Sequence, residues 1–323
     1  VARRGFSITE LLVVIGIIVL LIGLLVPALA AAQQKGRATQ TNSVMEQFRA
    51  GCESFYQKFG FYPGVVPEAI LTADPKISGT ENALLHLMGG FVRQEDDPAF
   101  YTATTGPDWQ EIVFAGPTGQ YRIKVNTFQM GQGPRIGGQS YPPFYSPKGS
   151  ELRALPGQYL TDGDFGDPYQ ADTLRIPDLV DGWGQPIIYV RSQRDSGPLV
   201  GVPGGGVLPQ FSRSSMTPYL SSVALGELGK DQETSVLRLG SGSDSDANFA
   251  QIIRHPAFGA ANAPLEGKAR GAFVLLSPGR DGIFFSSTDG PGSNSQPVTN
   301  LVTIAGGPSK IEEYDDLRQF GGS

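Results

Sequence analysis

Leu11 to Ala32 is the segment that most constrains this chain: LLVVIGIIVLLIGLLVPALAAA is 22 residues without a charge, and fifteen of them are Leu, Ile or Val. At about −0.3 to −0.6 kcal/mol each on an insertion scale, those fifteen favour the bilayer by about 5–9 kcal/mol. A helical span needs about 20 predominantly apolar residues, so this stretch is long enough to cross a membrane. Arg3 and Arg4 flank it on the N-terminal side. The positive-inside rule therefore places the N-terminus in the cytoplasm and the remainder outside it. A plain signal anchor needs nothing more than this. A twin-arginine signal would use Arg3-Arg4 and a cleavage site at Ala28-Leu29-Ala30. Neither reading makes use of Glu10, a carboxylate at the very edge of the apolar run, which is costly there without a partner and so marks a functional position.

The remaining composition narrows the class of protein. The chain has 323 residues, a net charge of −6, one cysteine and two histidines. The acidic balance argues against nucleic acid as a partner. A single cysteine excludes an internal disulfide and a multi-cysteine zinc site. No phosphate-binding or dinucleotide fingerprint and no nucleophile elbow occurs, so the sequence reads as non-enzymatic. Gly 43 and Pro 25 make a turn-rich exported part, yet remain below the level of low-complexity disorder.

The segment Gly5-Phe6-Ser7-Ile8-Thr9-Glu10-Leu11-Leu12-Val13-Val14-Ile15 resembles the cleavage and methylation signature of type IV prepilins, including the pseudopilins of type II secretion. The resemblance implies a leader over residues 1–5, cut by prepilin peptidase between Gly5 and Phe6, with methylation of the new Phe6 amine. Loss of Arg3 and Arg4 would take the net charge from −6 to −8. Glu10 becomes the family's acidic position and Pro27 its common helix proline. A buried Glu10 would then be satisfied by the N-terminal ammonium of a neighbouring subunit during assembly. Pro27 cannot donate to the carbonyl of Gly23, which predicts a kink or local unwinding over 23–27.

Beyond the membrane, Val44, Phe48, Cys52, Phe55 and Phe59 recur at helical spacing, and Gly60 and Pro63 mark a stop. The helix is expected over 6–59, roughly 80 Å long. Cys52 and His86 read as structural. A short helix capped by Thr80 is expected through Asn82–Met88, with strands at Tyr121–Val125, Pro186–Val190 and Ala272–Leu276. Gly201–Gly206 and Gly240–Asp246 read as loops. Asp244-Ser245-Asp246 fails as a calcium loop because Phe249 stands where glycine belongs, and Asp162, Asp164 and Asp167 also lack the closing residues.

Three further motifs are similar to those of major pseudopilins: Phe55–Pro63 at the helix end, Asp181-Gly182-Trp183-Gly184-Gln185-Pro186, and Ser277-Pro278-Gly279-Arg280-Asp281-Gly282. Trp183 is expected to anchor its turn by packing. In that family the last motif carries calcium, which implies a site at Asp281 and the Leu276 carbonyl, closed by Asp315 and Asp316. Asp289 stands alone in the sequence.

The expected fold is α+β and pilin-like. A long N-terminal transmembrane α-helix packs against an antiparallel β-sheet head, residues 60–323, with a large loop-rich insertion over 191–271. The implied function is a structural subunit of a homo-oligomeric filament, a type II secretion pseudopilus or type IV pilus, held at an inner-membrane assembly platform with its head outside the cytoplasm. The rivals are an exported enzyme or binding protein that uses residues 1–32 as an anchor or signal, and a minor, priming or adhesive pilin.

Overall fold

The computed structural model describes residues 8–116, 119–153, 176–201, 208–216, 232–238, 242–257, 266–289 and 314–322, with 220, 301 and 311. Gly5, Phe6, the leader, and Asp162, Asp164 and Asp167 lie outside the described residues, as do 202–206 of the glycine-rich loop.

Helix α1, Ile8–Phe59, is a single 52-residue helix, about 78 Å long at 1.5 Å per residue. It passes through Gly23 and Pro27 without a break, so the unwinding expected there does not occur. One proline removes one hydrogen bond and crowds one carbonyl, and the leucine-rich turns around it keep the helical path. The stripe read from the sequence is the buried one: Val44, Phe48, Cys52 and Phe55 are at most 1% exposed, and Phe59 is half-buried. Gly60 ends the helix at φ +78°, a left-handed value that a side chain disfavours, and its N–H bonds the Tyr56 carbonyl at 2.7 Å.

Two short helices follow, α2 (Glu68–Ala73) and α3 (Gly79–Met88). The cap of α3 is Ser78 and not Thr80: the Ser78 hydroxyl accepts the Glu81 N–H while the Glu81 carboxylate accepts the Ser78 N–H. This is the reciprocal box that serine and glutamate three apart can form. Thr80 instead donates its hydroxyl to the Ile187 carbonyl at 2.6 Å and accepts the Tyr189 N–H at 2.9 Å.

The first sheet contains β1 (Phe91–Arg93), β2 (Gln110–Gly116) and β3 (Gly119–Val125), antiparallel in the order β1-β3-β2, with α4 (Pro98–Ala103) between β1 and β2 in sequence. Small antiparallel pairs β4 (Arg135–Ile136) with β5 (Gln139–Ser140), and β6 (Leu152–Arg153) with β7 (Asp178–Leu179), follow. The second sheet contains β8 (Ile188–Arg191), β9 (Phe273–Ser277) and β10 (Leu317–Gly321), antiparallel in the order β10-β9-β8. All three strands expected from the sequence are present, as β3, β8 and β9.

The second sheet is covered on both faces. Tyr189, Phe273 and Leu275 join the α1 stripe, whereas Ile188, Val190, Val274 and Leu276 join the opposite cluster. With a core on each face, both alternating sets must be apolar, which is why Ile188–Val190 and Phe273–Leu276 read as unbroken apolar runs. The opposite cluster is built largely from residues 191–271, including Leu199, Phe211 and α5 (Gly242–Ile253) with Phe249 and Ile252. That segment is thus part of the main core, not a purely loop-rich addition. Residues 242–246 of the expected Gly240–Asp246 loop form the start of α5. Serine and aspartate suit a first helical turn as well as a loop, and the apolar face that follows decides between them. Asp246 is buried and ion-paired with Arg213, so it is not a solvated loop residue. His86 is buried and accepts the Gly64 N–H on Nδ1 at 3.0 Å, and burial holds its pKa well below the ordinary range.

Candidate functional site

The first half of α1 has no cover. Every Leu, Ile and Val from Leu11 to Leu29 is 45–68% exposed, all round the helix. Soluble proteins do not leave a continuous apolar cylinder of this kind in water. The helix is long and apolar enough to cross a membrane. Glu10 lies in its exposed first turn, where the helix dipole favours a carboxylate. Pro27 lies within the apolar part.

Just past that part, the turn at Asp181 is fastened to α1. The Trp183 indole N–H donates to Gln34 Oε1 at 2.9 Å, and the Gly182 N–H donates to Thr41 Oγ1 at 2.9 Å. The Thr41 hydroxyl in turn donates to the Arg37 carbonyl at 2.9 Å. A Cβ on Gly182 would lie 2.5 Å from the Arg37 oxygen, so this approach requires glycine. Trp183, half-buried, fastens its turn to α1 through this hydrogen bond.

Asp181 organises the turn and reaches onward. Its Oδ1 accepts the Trp183 and Gln185 N–H groups at 2.8 and 2.9 Å, and its Oδ2 accepts the Ser277 hydroxyl at 2.7 Å. Burial pushes its pKa from about 3.8 up to about 6, against the pull of these hydrogen bonds. Ser277 begins the third motif, so two segments 96 residues apart in sequence meet at one carboxylate.

Asp281, Asp289 and Asp315 come together beyond Ser277, each offering a carboxylate oxygen within 4.8 Å of the others. Asp315 Oδ2 accepts the Arg280 and Asp281 N–H groups at 2.9 and 3.3 Å. The approach depends on Gly279, at φ +66°, where a Cβ would meet the Asp315 carbonyl at 2.4 Å. Burial, then the hydrogen bond with Asp289 and the charge of Asp315, push the Asp281 pKa up to about 8. Burial also raises Asp315, with Asp289 adding to it.

The expected calcium set is therefore only partly assembled. Asp281 and Asp315 meet, the third carboxylate of the group is Asp289, and Asp316 lies outside that group though close enough to feel the charges of all three. Asp316 Oδ1 accepts the Phe285 N–H at 2.9 Å, at a residue with φ +49°, while burial drives its pKa well above the ordinary range. Leu276 sits within β9 opposite Ile188 and Arg318. Spacing along the chain does not join Asp289 to the other two, because it is the return of β10 beside β9 that brings Asp315 to it. All three donors are hard carboxylate oxygens.

No family model, curated protein or solved structure matches this chain.

Proposed function

We propose that this chain is a pilin-like structural subunit and not an enzyme. The observation that carries the reading is α1: one uninterrupted helix is bare and apolar over a membrane's thickness, then becomes the core helix of an α+β head. An anchor alone requires only the first property. Continuity into the head lets lateral packing of apolar halves set the spacing of heads, which is what a filament subunit requires. The prepilin-like segment around Gly5, Phe6 and Glu10 supports the same reading. In this proposal prepilin peptidase cuts between Gly5 and Phe6 and methylates Phe6. The N-terminus faces the cytoplasm and the head lies outside it. Subunits leave the inner membrane at an assembly platform to join a pseudopilus or pilus.

N-terminal mass measurement on the membrane-extracted chain tests this directly. A methylated Phe6 terminus is the expected result, whereas a terminus near Ala31 would identify a cleaved export signal and overturn it.

Calcium belongs to the same proposal, with Asp281, Asp289 and Asp315 as its ligands. When bound, the ion would neutralise the like charges crowded there. Thermal unfolding of the full chain in micelles is expected to shift upward in millimolar calcium relative to chelator, by about 2.7 kcal/mol at a hundredfold excess over Kd. Asp281→Ala should abolish the shift and Asp244→Ala, in α5, should leave it. Equal midpoints with and without calcium would remove the ion from the proposal.

A further inference from the structure

The apolar part of α1 sets where a membrane surface falls on this molecule. Leu11 to Ala32 is 22 residues, about 33 Å of helix, close to the roughly 30 Å of a bilayer's hydrocarbon core. Headgroups add about 5–8 Å on each side. Gln34 stands about 3 Å of rise past Ala32, so an upright helix puts it inside that outer layer, whereas Thr41, about 14 Å past Ala32, clears it. Trp183 is held to Gln34 by its indole N–H at 2.9 Å and is only half-buried. The ring therefore lies at the depth where tryptophan is enriched in membrane proteins, with its N–H on a polar partner and part of its apolar body bare.

Three exposed cations stand around this point. Lys35 and Arg37 follow Gln34 within the next turn of α1, and the Gly182 backbone lies against Arg37. Arg153 reaches the turn from β6, its Nη1 3.3 Å from where a Cβ on Gly184 would be. The turn's own carboxylate, Asp181, is buried and bonded inward to Ser277, and the Asp281, Asp289 and Asp315 carboxylates come beyond Ser277. Long cationic side chains can lay their stems on apolar surface and carry their charge to the lipid–water boundary. We propose that the Asp181–Gln185 turn is a membrane-surface contact. Trp183 lies in the phospholipid headgroup layer of the membrane that α1 spans, and Lys35, Arg37 and Arg153 meet lipid phosphates. The span itself names the occupant, because the bilayer that covers Leu29 continues outward over the residues that follow. The contact gives the head a second hold on the membrane and limits its tilt over the surface. This inference rests on α1 crossing a bilayer; it holds for either orientation of the span and does not require filament assembly.

The test uses the full chain in vesicles of phosphatidylcholine and phosphatidylglycerol, with Trp109→Phe so that Trp183 is the sole tryptophan. Lipid carrying a nitroxide on its headgroup is expected to lower Trp183 emission at least twofold, and lipid labelled deep in the acyl chain to lower it less. The span is read separately from Leu20→Trp in a Trp109→Phe, Trp183→Phe background, where the acyl-labelled lipid should be the stronger quencher. Quenching at Leu20→Trp with none at Trp183 refutes the surface contact and leaves the span standing. Quenching at neither removes the span and the contact together. Joint replacement Lys35→Gln, Arg37→Gln and Arg153→Gln should weaken headgroup quenching of Trp183 at least twofold while the head's thermal midpoint stays in place. Quenching as strong as before would overturn the phosphate contacts.

Discussion

The two halves of α1 are the same secondary structure in opposite surroundings. From Leu11 to Leu29 the large apolar side chains are exposed on every side, whereas from Thr41 to Phe55 only one stripe is apolar and it is fully buried. Helix propensity does not distinguish them. The difference lies in what each half must be covered by: a half that is apolar all round requires lipid or like helices, and a half with one apolar face requires a sheet. The boundary between them carries the Gln34 and Thr41 contacts to the Asp181 turn, so the head grips the helix where its surface changes character.

The sharpest way to break this comparison is Glu10→Val. If the apolar half serves assembly, the variant should enter the membrane as before yet form no filaments in electron micrographs. Filaments of ordinary yield would remove Glu10 from the assembly contact.

Next in size is a matched pair of truncations. Phe48 is fully buried against the rings of Tyr145 and Tyr189, at 5.3 and 5.6 Å. Phe48→Ala should cost about 3–5 kcal/mol of head stability, read by thermal unfolding in micelles, with membrane association unchanged. Leu20→Ala, in the bare half, should leave the head's midpoint where it was. A comparable loss from both would mean that the halves are not energetically separate.

The junction should respond to pH through Asp181. Its folded pKa of about 6 lies above the ordinary 3.8, so its proton is held more tightly in the fold. Its contribution to stability is therefore full below about pH 4 and is lost as pH rises to about 6, a change on the order of 3 kcal/mol. Asp181→Asn keeps an acceptor for the Trp183 and Gln185 amides and should flatten that part of the stability–pH curve relative to the unmodified chain. Parallel curves for the two proteins would contradict the assignment.

The smallest expected effect is at Thr41. Thr41→Val leaves the Gly182 N–H without its acceptor and should cost about 1–3 kcal/mol. Thr39, whose exposed hydroxyl donates only locally to the Lys35 carbonyl at 2.9 Å, is the control, and Thr39→Val should be near neutral. Equal effects would show that the turn does not depend on this hydrogen bond.

Local pattern was enough to determine the long helix, its change of character near residue 32, its stop at Gly60, and strands β3, β8 and β9. Each of these rests on neighbours in sequence: period, run length, or a glycine free to take a left-handed turn. Ser78 takes the capping place expected of Thr80 because both residue types suit it, and only the position of Glu81 and the approach of β8 separate them. The start of α5 departs from the expected loop for a similar reason, since serine and aspartate fit both and the sheet face that α5 covers lies outside its own segment. The candidate site depended most on tertiary structure. Asp281 was legible in its motif, but the joining of Asp181 to Ser277 and of Asp289 to Asp315 required β8, β9 and β10 to align. Meetings of carboxylates so far apart in the chain leave no mark in sequence spacing; burial and backbone N–H groups assign their places, and both exist only once the chain has closed around them.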